Sequence, residues 1–415
     1  MKKKLLIITL ILANLIFAQN VNIPDVNFKA YLLNNSAINT NGDSEIQITE
    51  ASAYTGYMDC SNRNISDLTG IEAFTAFYWL SCKNNQLTSL DLSQNTALEY
   101  LNCDSNQLIS LDLGQNTVLE YLYCSFNQLT SLDLSQNTAL KYLNCFTNQL
   151  TSLDVSQNTA LEYFDCKYNQ LTSLDLSQNT ALIEVYCLNN QLTSLNVSQS
   201  TALTKLYCYS NQLTSLDVSQ NSMINVLSCY GNLLTNLDVS QNTLLTQLYC
   251  HYNQFTSLDV SQNTVLNVLY CQDSQLTSLN VANGNNQNMT NDNFRVYLNP
   301  NLTCIQVDNE AYSTTNWLNK DATASYSTTC ALKANDFDLS EQITVYPNPV
   351  KNSVYVKLNT QETISKIQVV TLDGRVVACI ENKTSIAIDT VNSGVYLLKI
   401  TTKEGKTAIQ KIIKE

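Results

Sequence analysis

Ten cysteines stand at positions 82, 103, 124, 145, 166, 187, 208, 229, 250 and 271, each 21 residues after the last, and Cys60 precedes them by 22. So strict a period leaves few folds open, because one local structure must recur with each copy packed on the next. Around each cysteine runs the same phrase, as in Leu98-Glu-Tyr-Leu101-Asn-Cys103-Asp-Ser-Asn106-Gln-Leu108. Leu98, Leu101 and Cys103 can point inward from one short strand. The second half of the repeat, Leu108-Ile-Ser-Leu111-Asp-Leu113-Gly-Gln-Asn116-Thr117, carries a similar alternation. It is expected to cross the opposite wall as a short strand or extended segment, with Asn116 and Thr117 supplying the turn.

Energetics require the copies to stack. One repeat buries about six or seven apolar side chains, worth roughly 10–15 kcal/mol in all. Ordering its backbone costs about 20–40 kcal/mol. A lone repeat therefore cannot fold. Packing between repeats and parallel-sheet hydrogen bonds must close the gap, and both ends need caps.

The phrase resembles the leucine-rich repeat, L-x-x-L-x-L-x-x-N-x-L, with Cys in the third apolar slot. The resemblance implies a repeat solenoid with a parallel β-sheet on its concave face. It also implies that Asn85, Asn106, Asn127, Asn148, Asn169, Asn190, Asn211, Asn232 and Asn253 are buried, each side-chain amide bonding the turning backbone; the column fails at Ser274. The first unit, Asn64 to Phe74, looks more like the 22-residue units of internalin-type proteins. On this reading about eleven repeats fill 60–281, behind an N-terminal cap at 19–59. A C-terminal cap at 282–330 carries Trp317, Cys304 and Cys330.

Residues 1–18 read as a secretory signal peptide: Lys2, Lys3 and Lys4, a short apolar stretch from Leu5 to Phe17, then Ala18. The stretch is too short to span a bilayer, and no later segment is apolar for long enough. Residues 19–340 hold 28 acidic against 9 basic residues, whereas 341–415 hold 7 against 10. The acidic bias argues against nucleic acid as a partner.

Eleven cysteines in one inward column would lie about 4.8 Å apart, too far for Cβ atoms that a disulfide brings to about 3.8 Å. They read as small buried hydrophobes, whereas Cys304 and Cys330, outside the column, are expected to pair. A single histidine, His251, excludes most metal columns and histidine-based catalysis; it is expected on the exposed side of a strand end. The Asp column at 91, 112, 133, 154, 175, 217, 238 and 259 reads as side chains bonding turns of the outer wall, with weak calcium binding as the alternative. No cofactor, metal site or enzymatic activity is expected.

After a linker at 331–341 the rhythm changes to alternating strands, which predicts a small antiparallel β-sandwich. Tyr346-Pro347-Asn348-Pro349, Leu372-Asp-Gly374-Arg-Val-Val377 and Gly394-Val-Tyr-Leu-Leu-Lys399 closely resemble the type A C-terminal sorting domain of the type IX secretion system. That resemblance covers 342–415. It implies a Gram-negative bacterium of the Bacteroidota, the type IX machinery as a partner, and a chain secreted or held on the outer-membrane cell surface.

Two columns flank the inward leucine of each strand. They bring Trp79, Tyr100, Tyr121, Tyr142 and Tyr163, and then Tyr123, Tyr186, Tyr207, Tyr249 and Tyr270, to the concave face. Tyrosine offers a large rigid surface with a polar tip, which suits interfaces. An adhesin-like scaffold binding an extracellular protein or glycan is therefore expected. A structural surface-layer or spacer protein is the alternative.

Overall fold

The computed structural model describes residues 19–330, 343–359, 363–371, 375–403 and 407–415. The expected signal peptide, the expected linker and Gly374 lie outside the described residues. Residues 1–329 and 330–415 form separate compact units.

In the first unit each repeat contributes a three-residue strand to a parallel, twelve-stranded sheet that runs from Tyr57–Asp59 to Phe294–Arg295. Register is fixed repeat on repeat: Tyr100 faces Tyr121, Leu101 faces Leu122 and Asn102 faces Tyr123. The middle residue of every full strand is buried, as are Leu98 and Cys103 of the flanking phrase. One continuous core runs through the unit from Val21 to Tyr326.

The eleven column cysteines are free thiols inside this core. Burial pushes Cys60 and Cys229 up to about 12 and raises the others as well. Cys304 and Cys330 are disulfide-bonded.

Each strand ends in a left-handed residue, among them Ser105, Phe126, Thr147, Tyr168 and Tyr252. Glycine, the residue that adopts this conformation without strain, stands there only at Gly231. The turn is held instead by the column asparagine. Asn106 Nδ2 donates to the carbonyls of Cys82 and Cys103, both at 3.1 Å, while its Oδ1 accepts Leu87 N–H at 3.0 Å. The ladder lapses at Ser274, whose buried hydroxyl has no partner among the described residues, and resumes at Asn299, which bonds Cys271 O and Val296 O.

The opposite wall is extended and forms a regular sheet only late, from Ser257–Asp259 through Ser278–Asn280 and Cys304–Gln306 to Ser325–Ser327. Here a second asparagine column is fully buried. Asn116 Nδ2 bonds Leu92 O at 3.1 Å and Asn95 O at 2.9 Å. More than a turn former, this residue ties each repeat to the one before.

Two helices, Val26–Leu33 and Ile48–Ala53, precede the first strand, and Phe28, Leu32 and Ala51 on them join the core of the repeats. At the far end the 21-residue phrase stops after Val281 but the coiling does not: Phe294–Arg295 joins the large sheet beside Val268–Tyr270. Trp317 then closes the stack, fully buried, ring to ring with Phe294 at 4.2 Å and donating Nε1–H to Met289 O at 2.8 Å.

The second unit places a three-stranded and a four-stranded antiparallel sheet around one apolar core that includes Val354, Ile367, Leu398 and Ile412. Asn348 fastens its opening loop to the last strand, donating to Lys411 O at 2.9 Å and accepting Ile413 N–H at 2.8 Å. Tyr346 stacks on Tyr355, Pro347 and Pro349 lie on either side of Asn348, and Gly394 opens the strand Gly394–Thr402.

Candidate binding face

Side chains on either side of the buried leucine emerge on the open face of the large sheet, where strand spacing sets aromatic rings within reach of one another. Trp79 and Tyr100 stack at 4.7 Å, Tyr123 and Tyr142 at 4.7 Å, Tyr142 and Tyr163 at 4.1 Å, and Tyr186 and Tyr207 at 4.9 Å. Tilted contacts of 5.4 Å join Tyr100 to Tyr123 and Tyr163 to Tyr186. The result is one unbroken ribbon from Trp79 to Tyr207, with Tyr121 the most open of its rings at 38% exposed.

The rings are thus not freestanding, as their column positions suggest. Most are half-buried, with faces turned to neighbours, and Tyr186 donates its hydroxyl to Glu184 Oε2 at 2.7 Å. Burial raises the Tyr163 hydroxyl to about 12 and also lifts Tyr123, Tyr142 and Tyr186, so all four remain protonated donors at neutral pH.

Tyr249 and Tyr270 do not belong to this ribbon. Val226 and Ser228, both buried, interrupt the aromatic run between Tyr207 and Tyr249. Alongside the gap a second cluster forms, in which Tyr230 stacks on Tyr209 at 4.2 Å and on His251 at 4.3 Å. Tyr270 joins it edge-on to Tyr249, with Arg295 4.4 Å over its face.

His251 is therefore half-buried rather than exposed. Burial first, and the Arg295 charge second, lower its pKa to about 4. Its Nδ1 has no hydrogen-bond partner among the described residues. The second cluster was hard to foresee, because its members occupy different repeat positions and meet only across neighbouring turns.

Charged groups border the ribbon in pairs: Glu120 with Lys141 at 2.9 Å, Glu184 with Lys205 at 2.8 Å, and Asp165 with Lys167. Burial raises Asp165 despite that partner. On the opposite wall the Asp column is exposed, and each of Asp91, Asp133, Asp154, Asp175, Asp217 and Asp238 accepts the N–H of the serine two residues on, which lowers its pKa.

These features define a leucine-rich-repeat solenoid followed by a sorting domain. Residues 117–158 match the model of leucine-rich repeats in two copies, and 344–415 match the secretion system C-terminal sorting domain. The functional domain of Internalin J from Listeria monocytogenes, described as including a cysteine ladder, superposes with a TM-score of 0.53. It does so at 27% identity, over 96% of this chain and 98% of that one. Internalin J itself, from serotype 4b of that species, is 54% identical over 39 residues, which are 9% of this chain and only 4% of the relative. Another Listeria internalin, InlF, aligns over 61% of this chain and 91% of its own at 19% identity and a TM-score of 0.44. The chain carries leucine-rich repeats in a solenoid similar to that of internalin structures. Its sorting domain is of the kind that marks secretion through the type IX system to the cell surface or beyond. Among the described residues no helix is long and apolar enough to cross a membrane.

Proposed function

We propose that the chain is a non-catalytic, adhesin-like scaffold of a Bacteroidota cell surface, which recognises an extracellular protein or glycan through the ribbon from Trp79 to Tyr207. The observation that carries this reading is the contrast between the walls. One repeats Thr-Ser-Leu-Asp with little change, whereas the other concentrates eight aromatic side chains in contact. Large aromatic surfaces bordered by paired charges are favoured at recognition sites. Because ring faces are taken up by mutual stacking, few are left for sugar rings to stack on, which favours a protein surface. A spacer without a ligand is the competing reading, supported by that same stacking, since packed tyrosines also stabilise strands.

Screening the full chain against glycan arrays and extracellular-protein libraries tests the proposal. Replacing Tyr121, Tyr142 and Tyr163 by Ser should weaken the ligand found at least ~100-fold, whereas Ala at Thr130, Thr151 and Thr172 of the other wall should not. The loss of stacking at Tyr142–Tyr163 lowers stability by about 0.5–1.5 kcal/mol. A second variant set with Phe at the three tyrosines keeps the rings and isolates the hydroxyls. Equal binding by wild type and the folded Ser variant would place the ligand off the ribbon and overturn the proposal, and no ligand from either screen would leave the spacer reading.

A further inference from the structure

The N-terminal cap contains a feature outside the repeat. Its two helices, Val26–Leu33 and Ile48–Ala53, flank a loop in which oxygen-bearing side chains recur at set intervals. Counted from Asn39 as the first position, they are Asn39, Asn41, Asp43, Gln47 and Glu50, at positions 1, 3, 5, 9 and 12. Glu45, at position 7, would contribute its main-chain carbonyl. A helix–loop–helix calcium loop takes its oxygens from these six positions and ends in a two-oxygen glutamate at the twelfth. Ile46, between positions 7 and 9, is fully buried, as the apolar anchor of such a loop must be. The pattern departs at position 6, where Ser44 replaces glycine; the left-handed turn falls at Gly42 instead, with φ +72°.

Side-chain geometry carries the case beyond spacing. Asn41, Asp43 and Gln47 converge: Asn41 Nδ2 lies 3.0 Å from Asp43 Oδ2 and 2.7 Å from Gln47 Oε1, and Gln47 Nε2 lies 3.0 Å from the same Asp43 oxygen. Glu50 points inward and is only 9% exposed. Its Oε1 accepts the N–H groups of Thr40 and Asn41 and the Thr40 hydroxyl, and its Oε2 accepts Gln47 N–H. Burial alone would raise this carboxyl, but those donors outweigh it and hold the group below its ordinary range.

As the third residue of the second helix, Glu50 closes a capping box with Gln47, which turns its carboxylate back into the loop. Among the described residues Glu50 forms no ion pair, and Lys29 pairs with Glu45 at 2.8 Å. The loop is also pinned from outside: Val21 N–H donates to Ile46 O at 2.8 Å and Ile48 N–H to Gln19 O at 2.9 Å. No group of three acidic, imidazole or thiol ligands forms among the described residues. The candidate donors are therefore two carboxylates among neutral oxygens, a set for a hard cation rather than zinc.

We propose that the loop from Asn39 to Glu50 is a calcium site that tightens the cap on which the solenoid begins. Phe28, Leu32, Ile38 and Ile46 of the cap share the core of the repeats, so an ion that orders the loop also braces the first turns. With two formal charges the affinity falls in the range of extracellular modules, about 10⁻⁴–10⁻³ M.

The test titrates calcium chloride into the chelator-treated full chain by calorimetry. One ion per chain is expected, with the unfolding midpoint rising as calcium is added. D43N should weaken binding at least ~10-fold, because it removes a charge from an exposed position where asparagine can still accept Glu45 N–H. E50Q should abolish it. Since Glu50 also caps the loop, D43N with an unchanged circular dichroism spectrum decides the matter if E50Q fails to fold. D133N, on the opposite wall, should bind as wild type. No binding up to about 10 mM, wild-type affinity in D43N, or loss of binding in D133N would each overturn the proposal.

Discussion

Replacing asparagines of the two buried columns by alanine measures what each column contributes. Asn148 Nδ2 donates to Cys124 O and Cys145 O, both at 3.0 Å, and its Oδ1 accepts Leu129 N–H at 3.0 Å. Asn137, in the other column, donates to Leu113 O at 3.0 Å and Asn116 O at 2.9 Å, but its own Oδ1 has no partner among the described residues. Alanine therefore removes three bonds at 148 and two at 137. A buried hydrogen bond contributes about 1 kcal/mol net, and a stranded buried group costs ~1–3 kcal/mol. N148A strands the Leu129 amide, while Cys124 O keeps Asn127 and Cys145 O keeps Asn169, and with three bonds lost it should cost about 3–5 kcal/mol. N137A strands nothing, since Leu113 O keeps Asn116 N–H and Asn116 O keeps Leu119 N–H, and it deletes an unpaired oxygen, so about 1–2 kcal/mol is expected. N148D should be worse than N148A, since a carboxylate cannot donate to either carbonyl and would be a buried charge without a partner. Urea unfolding followed by circular dichroism gives the three values, provided the slope with denaturant is unchanged. N137A costing as much as N148A, or N148D proving milder than N148A, would refute the reasoning.

Two further predictions concern titration and thiols. The folded pKa of His251, near 4, lies below its unfolded value near 6.5. It therefore contributes stability that is present above about pH 6.5 and lost as pH falls through 4, of order 1 kcal/mol after allowance for the ring's partial exposure. H251F keeps the stack and should remove that part of the pH dependence; identical wild-type and variant profiles between pH 4 and 7 would count against the burial described. Alkylation after denaturation without reductant should label the twelve free cysteines and spare Cys304 and Cys330; blocked column thiols would show that the ladder sulfurs pair.

The core was legible because a strict period converts sequence position into spatial column: the places of Cys103, Leu101 and Asn106 follow from one repeat. What one repeat cannot encode is how neighbours meet. Tyr123 stacks on Tyr142 across a diagonal, and His251 is buried by Tyr230 of the turn before. Asn116 was read as a turn former because Gly-Gln-Asn-Thr is polar throughout, and only the stacked turns show that its amide faces inward. The loop from Asn39 to Glu50 went unread for the opposite reason, since its spacing occurs once and carries no period. Phe294–Arg295 continues the sheet without the phrase because backbone pairing needs extended chain, not leucine.

The in-register ladders give the molecule a translational symmetry, with a consequence for its history. Cutting the chain at any two equivalent points and rejoining the ends removes a whole turn while leaving both asparagine columns, the thiol column and the sheet continuous. Length can thus change by recombination within the coding sequence without passing through a misfolded intermediate, provided whole repeats are gained or lost. The aromatic ribbon is the exception. It is confined to particular turns, so shortening the array there would shift the spacing of its hydroxyls against any fixed partner, and variants of different length would differ in what they hold rather than in whether they fold.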